Sequence, residues 1–202
     1  YNGLGILALD QGSYERAEAW FDRCLTGYQK LGHKLGIVAT LNNLGETAQK
    51  RGDFDRSQKL LEESLERAYE LGDKGWAARA LHLLGSLANS RGEYGRAFEF
   101  YSSALVNFQE MADASVVFVF EGLSCTAAAQ GNAVRAHRLA GAASARREMT
   151  RMKRSPADQL VLDRYLDEVK RRSTDEEMAR AFAAGHAMTL DEAIQYALRS
   201  DF

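Results

Sequence analysis

Proline and cysteine are scarce in this chain of 202 residues, and both shortages narrow the possible folds. Its one proline is Pro156, so helices can run long without losing a backbone hydrogen bond to an interior proline. Its two cysteines, Cys24 and Cys125, stand far apart and outside any CxxC pattern. No disulfide framework is therefore expected, and the cysteine usage is typical of a cytoplasmic protein.

Long apolar runs and net charge are also lacking. The chain has no run of about 18 apolar residues and does not open on a signal peptide, so neither a membrane-spanning helix nor secretion is expected. A formal net charge of -2 gives no general attraction to nucleic acid or to a membrane surface. The content of 46% hydrophobic and 27% charged residues is typical of a soluble folded protein.

What the sequence does contain is a repeat with a period of 40 residues. Leu-Gly pairs return in register at positions 4–5, 44–45 and 84–85, and alanines at 8, 48 and 88. Glycines return at 12, 52 and 92, and aromatic residues at 14, 54 and 94. A weaker fourth copy follows one residue early, with Ser124 in the place of the mid-helix glycine. Such a period indicates stacked units that cannot bury their apolar faces alone.

Within each unit the apolar spacing is helical, and glycines mark both the ends and the middle of the helices. Gly32, Gly52 and Gly72 each follow a helical stripe, as C′ glycines do. Glycines 5, 45 and 85 instead fall inside a helix, where glycine costs about 1 kcal/mol relative to alanine. We therefore predict that they allow close approach of the paired helix at Ala17, Ser57 and Ala97.

The pattern changes in the last sixty or so residues, which predict a helical cap over residues 153–202 after an array over residues 1–152. Ser155 and Pro156 suit the N-cap and first position of a helix. Capping boxes at Thr174 with Glu177 and at Thr189 with Glu192 open two more helices. The first of these is predicted to end at Gly185.

The repeat residues resemble those of the tetratricopeptide repeat, in the 40-residue variety found in bacterial signalling proteins. The resemblance implies an all-α, tetratricopeptide-type right-handed superhelical solenoid of helix pairs, closed by the C-terminal helical cap. It also implies that the first, or leading, helix of each pair lines a concave groove. Arrays of this kind usually bind partners and do not catalyse reactions.

The closing segment carries a second resemblance, on residues 139–143, 147–148, 181–182, 185 and 189–198. It is similar to the C-terminal region of large bacterial regulators that join a signal-transducing ATPase to such an array, often with a LuxR-type DNA-binding domain. The chain itself has no GxxxxGK[ST] phosphate loop and no helix-turn-helix after Leu198, so it is not expected to hydrolyse ATP or bind DNA. Tyr1 falls inside a predicted helix, and we expect a piece of a longer polypeptide.

The resemblance assigns groove-facing positions on three leading helices. They are Asn42, Glu46 and Gln49, then His82, Ser86 and Asn89, then Phe118, Glu121 and Cys125. Asn42, His82 and Glu121 would form a row that suits a peptide, a protein segment or a small polar inducer. The alternative for this face is an ordinary solvated surface. For the chain as a whole, the alternatives are an array that only mediates self-association, giving a homo-oligomer, and a free-standing adaptor.

Other candidate sites are weaker. Arg79 and Asn43 match two positions of the family's carboxylate clamp, but its other cations are missing, so capture of a C-terminal carboxylate is not expected. His82, Glu121 and Cys125 lack the short spacing of a zinc site, and no catalytic motif occurs, so no metal, cofactor or enzymatic activity is expected. His33, His137 and His186 are predicted to be surface histidines.

A basic run and an apolar run complete the candidates. Seven Lys and Arg residues stand between positions 135 and 154 with one acid, Glu148, and suit either nucleic acid or an acidic protein surface. Because aromatic stacking residues are missing there, we favour a solvated helix face. Residues 116–120 are apolar enough for a strand, but their place in the repeat predicts the start of a leading helix.

Overall fold

The computed structural model describes residues 1–111, 113–170 and 174–199, and these fold into eleven α-helices with no strand among them. In order, the helices are α1 Asn2–Asp10, α2 Tyr14–Lys30, α3 Lys34–Lys50, α4 Phe54–Glu70, α5 Lys74–Ser90, α6 Tyr94–Glu110, α7 Val116–Ala129, α8 Ala133–Thr150, α9 Pro156–Lys170, α10 Asp175–His186 and α11 Leu190–Ala197. The all-α prediction is confirmed, and the apolar run at residues 116–120 lies in α7.

The chain divides into two compact units, Tyr1–Leu87 and Ala88–Phe202. In the first unit α1 packs on α2 and α3 packs on α4, and α3 also packs on α2. In the second unit α7 packs on α8, and α6 packs on α7. The pairs α1–α2, α3–α4 and α7–α8 are therefore among those that the repeat predicted.

Most of the joints between helices share one geometry, built on a left-handed glycine. The glycines at 12, 32, 52, 72, 92 and 131 have φ between +62° and +83°. At Gly52, the glycine N–H donates to the Gln49 carbonyl and the next N–H, of Asp53, donates to the Ala48 carbonyl, both at 2.9 Å. This is a Schellman motif, which satisfies carbonyls that the helix leaves open. The predicted C′ roles of Gly32, Gly52 and Gly72 are confirmed.

The mid-helix glycines stand where a paired helix comes close. A Cβ on Gly45 would lie 2.6 Å from the Leu61 side chain and 3.5 Å from the Ser57 carbonyl oxygen. Ser57 Oγ also donates a hydrogen bond of 2.8 Å to the Gly45 carbonyl, so the predicted approach at Ser57 is confirmed. At Gly5 the three atoms nearest to a built Cβ all belong to the Phe21 ring of α2, and the predicted approach at Ala17 stays a prediction.

The fourth pair forms the same kind of contact with its polar group on the other helix. Ser124 on α7 occupies the repeat position of Gly45, and Ala136 on α8 occupies that of Ser57. Ser124 Oγ donates a buried hydrogen bond of 2.8 Å to the Ala136 carbonyl. In the second pair the hydroxyl therefore comes from the second, or trailing, helix of the pair. In the fourth pair it comes from the leading helix.

Helix α8 is the centre of the second unit, since α7, α9, α10 and α11 all pack on it. Its middle is made of small residues, and at Gly141 and Gly185 a Cβ would overlap the backbone of the facing helix. Helix α10 ends at His186 with Ala187 as its C-cap, so Gly185 is an interior glycine. The prediction that Gly185 ends this helix is therefore wrong. The close approach of the Arg138 backbone explains the glycine at this position.

The remaining cap helices have the predicted starts. Ser155 Oγ accepts from Asp158 N–H at 3.1 Å, and both predicted capping boxes, at Thr174 and at Thr189, are formed. Helix α9 packs on α7 and α8 through Tyr165, Leu166 and Val169. Because α8 is both the last repeat helix and the platform for α10, the division at residues 152 and 153 stays a prediction.

Candidate partner-binding face

Helices α3 and α5 bring five of the half-buried polar side chains together on one face of the first unit. These are Glu46 and Gln49 on α3, and Arg79, His82 and Ser86 on α5, and we call them the α3–α5 face. Arg79 Nη2 lies 2.7 Å from Glu46 Oε2, and Gln49 Nε2 donates to Ser86 Oγ at 2.9 Å. The predicted groove residues are thus neighbours here, but they are bonded across the two helices.

Asn42 does not belong to the accessible part of this face. The residue is fully buried, and its Nδ2 donates a hydrogen bond to the Trp76 carbonyl at 3.5 Å. Its Oδ1 accepts no hydrogen bond within the described part of the chain. The prediction that Asn42 contacts a ligand is corrected, because its amide points into the packing between α3 and α5.

Asn89 is buried as well, in the second unit. Its Oδ1 accepts from Thr126 Oγ1 at 3.0 Å, and its Nδ2 donates to the Gly122 carbonyl at 3.3 Å. Only 8% of the residue is exposed. Asn89 therefore joins α5 to α7 and is not available to a groove ligand, which corrects its predicted role.

Glu121 is held by two arginines from the end of α8 and the segment after it. Arg147 binds both carboxylate oxygens, with Nε to Oε1 at 2.5 Å and Nη2 to Oε2 at 2.8 Å, and Arg154 Nη2 lies 2.5 Å from Oε1. The three side chains are 10–15% exposed. The Arg147 guanidinium also covers the half-buried Phe118 ring, 5.3 Å from its centroid. Glu121 and Phe118, both predicted to face a ligand, are covered by this cluster.

The basic run is not a solvated face throughout, which corrects that prediction. Arg147 and Arg135 are buried, and Arg135 Nη2 donates to the carbonyls of Ala197 and Arg199 at 3.0 and 2.6 Å. Arg135 and Arg138 both lie over the Tyr196 ring, 5.4 and 5.1 Å from its centroid. Arg135 stands in register with Arg16, Arg56 and Arg96, which are exposed, so the repeat alone gave no signal of its burial.

The histidines behave differently from one another. His137 is 7% exposed and its Nδ1 lies 2.9 Å from the Ala133 carbonyl, so its predicted surface position is wrong. It lies on the packed side of α8, where the small residues around it allow the ring to be buried. His33 is exposed and its Nδ1 accepts from Gly36 N–H at 2.9 Å as an N-cap. His186 is exposed beside Glu148, with Nε2 3.2 Å from its carboxylate.

The reactive candidates in the sequence are Cys125 and the side chains that could bind a metal. Burial, and secondarily the nearby Glu121 carboxylate, raises the pKa of Cys125 to about 12, so its thiol stays protonated at neutral pH. In the described ranges no cluster of three or more His, Cys, Asp or Glu side chains could hold a metal ion. No described helix combines the length and apolar character needed to cross a bilayer.

Comparison with known families agrees with this architecture. A family model described as the tetratricopeptide repeat matches residues 1–70 and 36–110, which together span more than half of the chain. A comparison with curated proteins gave no match. The helix pairs and the family match together confirm the predicted all-α solenoid of tetratricopeptide type. The chain belongs to the tetratricopeptide-repeat family, whose repeats are protein-interaction modules.

Proposed function

We propose that this module binds a polar segment of a partner protein on the α3–α5 face. The observation that carries the proposal is the set of half-buried polar side chains in the first unit, Glu46, Gln49, His82 and Ser86, which remain partly open to solvent beside Arg79. The other predicted groove residues are buried or covered. The proposed contact surface is therefore smaller than the full set of predicted positions.

The chemistry of the face suits main-chain amides more than a charged group. Glu46 and Arg79 neutralise each other at 2.7 Å, so neither offers a full charge to a partner. Gln49 and Ser86 supply an amide and a hydroxyl, which donate and accept alike. An extended peptide meets these groups with alternating N–H and C=O groups, whereas a terminal carboxylate finds its nearest cation already paired. A small polar inducer with amide or hydroxyl groups would use the same atoms.

Binding at this face has a direct route to the packing of the helices. Gln49 and Ser86 are bonded to each other and so are Glu46 and Arg79, and both pairs join α3 to α5. A partner that takes over either side chain competes with an inter-repeat bond. Occupancy then changes the spacing of successive repeats, and that change is the signal that we propose is passed to output domains outside this chain.

The biological setting is proposed from the resemblance of the closing segment. We infer a cytoplasmic bacterial regulator of the signal-transducing ATPase or LuxR-type class, in which this array senses a partner or an inducer for transcriptional control. The chain's own role in such a protein is recognition, with no catalytic step.

The test uses peptides selected by phage display on the immobilised chain, with binding measured by fluorescence polarisation. We expect selected peptides to lose at least tenfold in affinity with the variants Gln49→Ala and His82→Ala combined. The matched control is Gln58→Ala with Glu62→Ala, whose side chains bond to each other on the solvent side of α4. We expect this control to leave affinity unchanged. Melting curves of both double variants show whether the array is still folded.

Selected peptides that bind equally well to both double variants would refute the α3–α5 face as the site. Peptides that lose affinity only when the melting temperature falls would show that these side chains act through folding and not through contact. Arg79 gives a further check, since Arg79→Met frees Glu46. A partner that reads amides is expected to bind this variant with little change, while a basic partner would bind it more tightly.

A further inference from the structure

An open cleft lies in the second unit between α8, the end of α10 and α11. Its volume is about 660 Å³, within the range of about 300–1,000 Å³ that small-molecule sites occupy. The wall from α10 includes Ala184 and Ala187, and these small side chains leave the space open. Arg138 of α8 lines the same cleft, because its backbone stands against Gly185, next to Ala184. The cleft is separate from the α3–α5 face, whose residues lie in the other unit.

One end of the cleft is basic. The Arg138 guanidinium lies over the Tyr196 ring, 5.1 Å from its centroid, and its Nε has no hydrogen-bond partner within the described residues. Arg199 also lines the cleft, with its guanidinium 6.0 Å from the same centroid. Arg135, by contrast, is already bound to two carbonyls at the end of α11. Arg138 is therefore held in place by the ring while keeping hydrogen-bond capacity for a ligand, and its planar fork fits a carboxylate.

The other end of the cleft is acidic. Asp191 and Glu192 stand in the first turn of α11, and both line the cleft. Glu192 is used by the capping box with Thr189, whereas Asp191 is exposed. Asp191 precedes Tyr196 by five residues, which in an α-helix is about 7.5 Å along the axis. The cleft therefore has charge of opposite sign at its two ends, with the apolar Met188 among its lining residues.

We propose that the cleft binds a small zwitterion, with a carboxylate directed to Arg138 and an ammonium group directed to Asp191 at opposite ends of a short aliphatic chain. A ligand with negative charge alone would meet Asp191 and Glu192, and one with positive charge alone would meet Arg138 and Arg199. An ω-amino acid or a basic amino acid has both charges, at the required spacing of about 7–8 Å. The proposal stands independently of the α3–α5 face, because the two sites lie in different units.

The test uses 6-aminohexanoate as the probe, with hexanoate and hexylamine as probes that each lack one of the two charges. Binding to the whole chain is measured from amide chemical shifts in NMR titrations. We expect saturable shifts at residues of α8, α10 and α11. The affinities for hexanoate and hexylamine should be lower by about tenfold or more, since each loses one charge-assisted contact. Equal binding of the three probes would overturn the proposal, and so would shifts confined to the α3–α5 face.

Two substitutions assign the two ends of the cleft. Asp191→Asn is expected to lower the affinity for 6-aminohexanoate to that for hexanoate, while hexanoate binding stays unchanged. Arg138→Gln is expected to lower it to that for hexylamine. Because Arg138 also packs on a ring, melting curves accompany this variant, and the exposed Asp191 keeps the test decisive even if Arg138→Gln unfolds. The matched controls are Glu63→Gln and Arg67→Gln, from an exposed ion pair on α4, and we expect them to change nothing. Wild-type affinity for 6-aminohexanoate in Asp191→Asn would overturn the proposal.

Discussion

Single residues decide where helices touch and where they turn. Glycine has two separate uses in this chain. At the joints it adopts a left-handed conformation, and at Gly45, Gly141 and Gly185 it makes room for a neighbouring helix. The two uses call for different substitutions, since alanine is strained at the joints and is too large at the contacts.

Gly185→Ala is expected to destabilise the second unit by about 3 kcal/mol or more, because its Cβ would overlap the backbone carbonyl of Arg138. Gly27→Ala is the matched control. Gly27 lies inside α2 with open space around it, so alanine is expected to stabilise the chain by roughly 0.5–1 kcal/mol. Urea unfolding followed by circular dichroism measures both. Equal effects of the two substitutions would refute the close-contact interpretation.

Arg151 is the residue other than glycine that has a positive φ in the described ranges, at +56°. A side chain in this conformation costs about 1–2 kcal/mol. We expect Arg151→Gly to stabilise the chain by about 0.5–1 kcal/mol after the larger entropy of the unfolded chain is counted. Lys153→Gly, on the same exposed segment, is expected to be neutral or destabilising. Thermal unfolding of the two variants provides the comparison.

Cys125 predicts a pH dependence of stability. Its pKa is raised from 9.0 to about 12 by burial, so the folded chain keeps the thiol proton to higher pH than the unfolded chain does. The stability present below pH 9 is therefore lost progressively as the pH rises towards 12. Cys125→Ala should lose less stability than the wild type between these pH values. The remaining slope belongs partly to Tyr165, whose pKa is also raised by burial.

At the scale of helices, the second unit is arranged around α8. Small residues along its middle let α10 approach closely, and its charged end holds Glu121 of α7 through Arg147. Arg154, from the segment after α8, binds the same carboxylate and also contacts Gln159 of α9. One carboxylate thus connects α7, α8 and the start of α9.

Removing that carboxylate leaves the mostly buried guanidinium groups of Arg147 and Arg154 without their anionic partner. Glu121→Gln is expected to destabilise the chain by about 3 kcal/mol. Arg154→Gln is expected to cost less, because Arg147 still neutralises Glu121. The exposed Glu148→Gln serves as the control and is expected to change stability by less than about 0.5 kcal/mol. Hydrogen exchange of α9 should rise in Glu121→Gln and also in Arg154→Gln, which loses the contact with Gln159, but not in the control. An effect of Glu121→Gln no larger than that of Glu148→Gln would contradict the role of the cluster.

At the scale of the whole molecule, the period of the sequence predicted which positions are equivalent, but not what covers them. The helix pairs, the left-handed glycines and the capping boxes all depend on local sequence, and these predictions are confirmed. Asn42 was assigned to the groove by its repeat position and His137 to the surface of a basic helix, and both are buried. The partners of Glu121 lie 26 and 33 residues away and outside the repeat register. No local pattern could have identified them.

A stack of repeats also predicts local effects of mutation, since each pair is stabilised mainly by its immediate neighbours. Ser57→Ala removes the buried bond to the Gly45 carbonyl and is expected to cost about 1–2 kcal/mol. Hydrogen exchange should rise in α3 and α4 while α10 and α11 keep their protection. A uniform rise across all helices would instead show that the chain opens as a single cooperative block.

The hydroxyl at the helix crossing changes sides between the second pair, Gly45–Ser57, and the fourth pair, Ser124–Ala136. Each of these two pairs carries one hydroxyl at the crossing, on one side or the other, whereas the first and third pairs have Gly5 with Ala17 and Gly85 with Ala97 and carry none. A chimaera that sets α3 against α8 would bring Gly45 to Ala136 and have none, while α7 against α4 would bring Ser124 to Ser57 and crowd two into one space. These two helix pairs are equivalent in the repeat, yet their helices are not interchangeable.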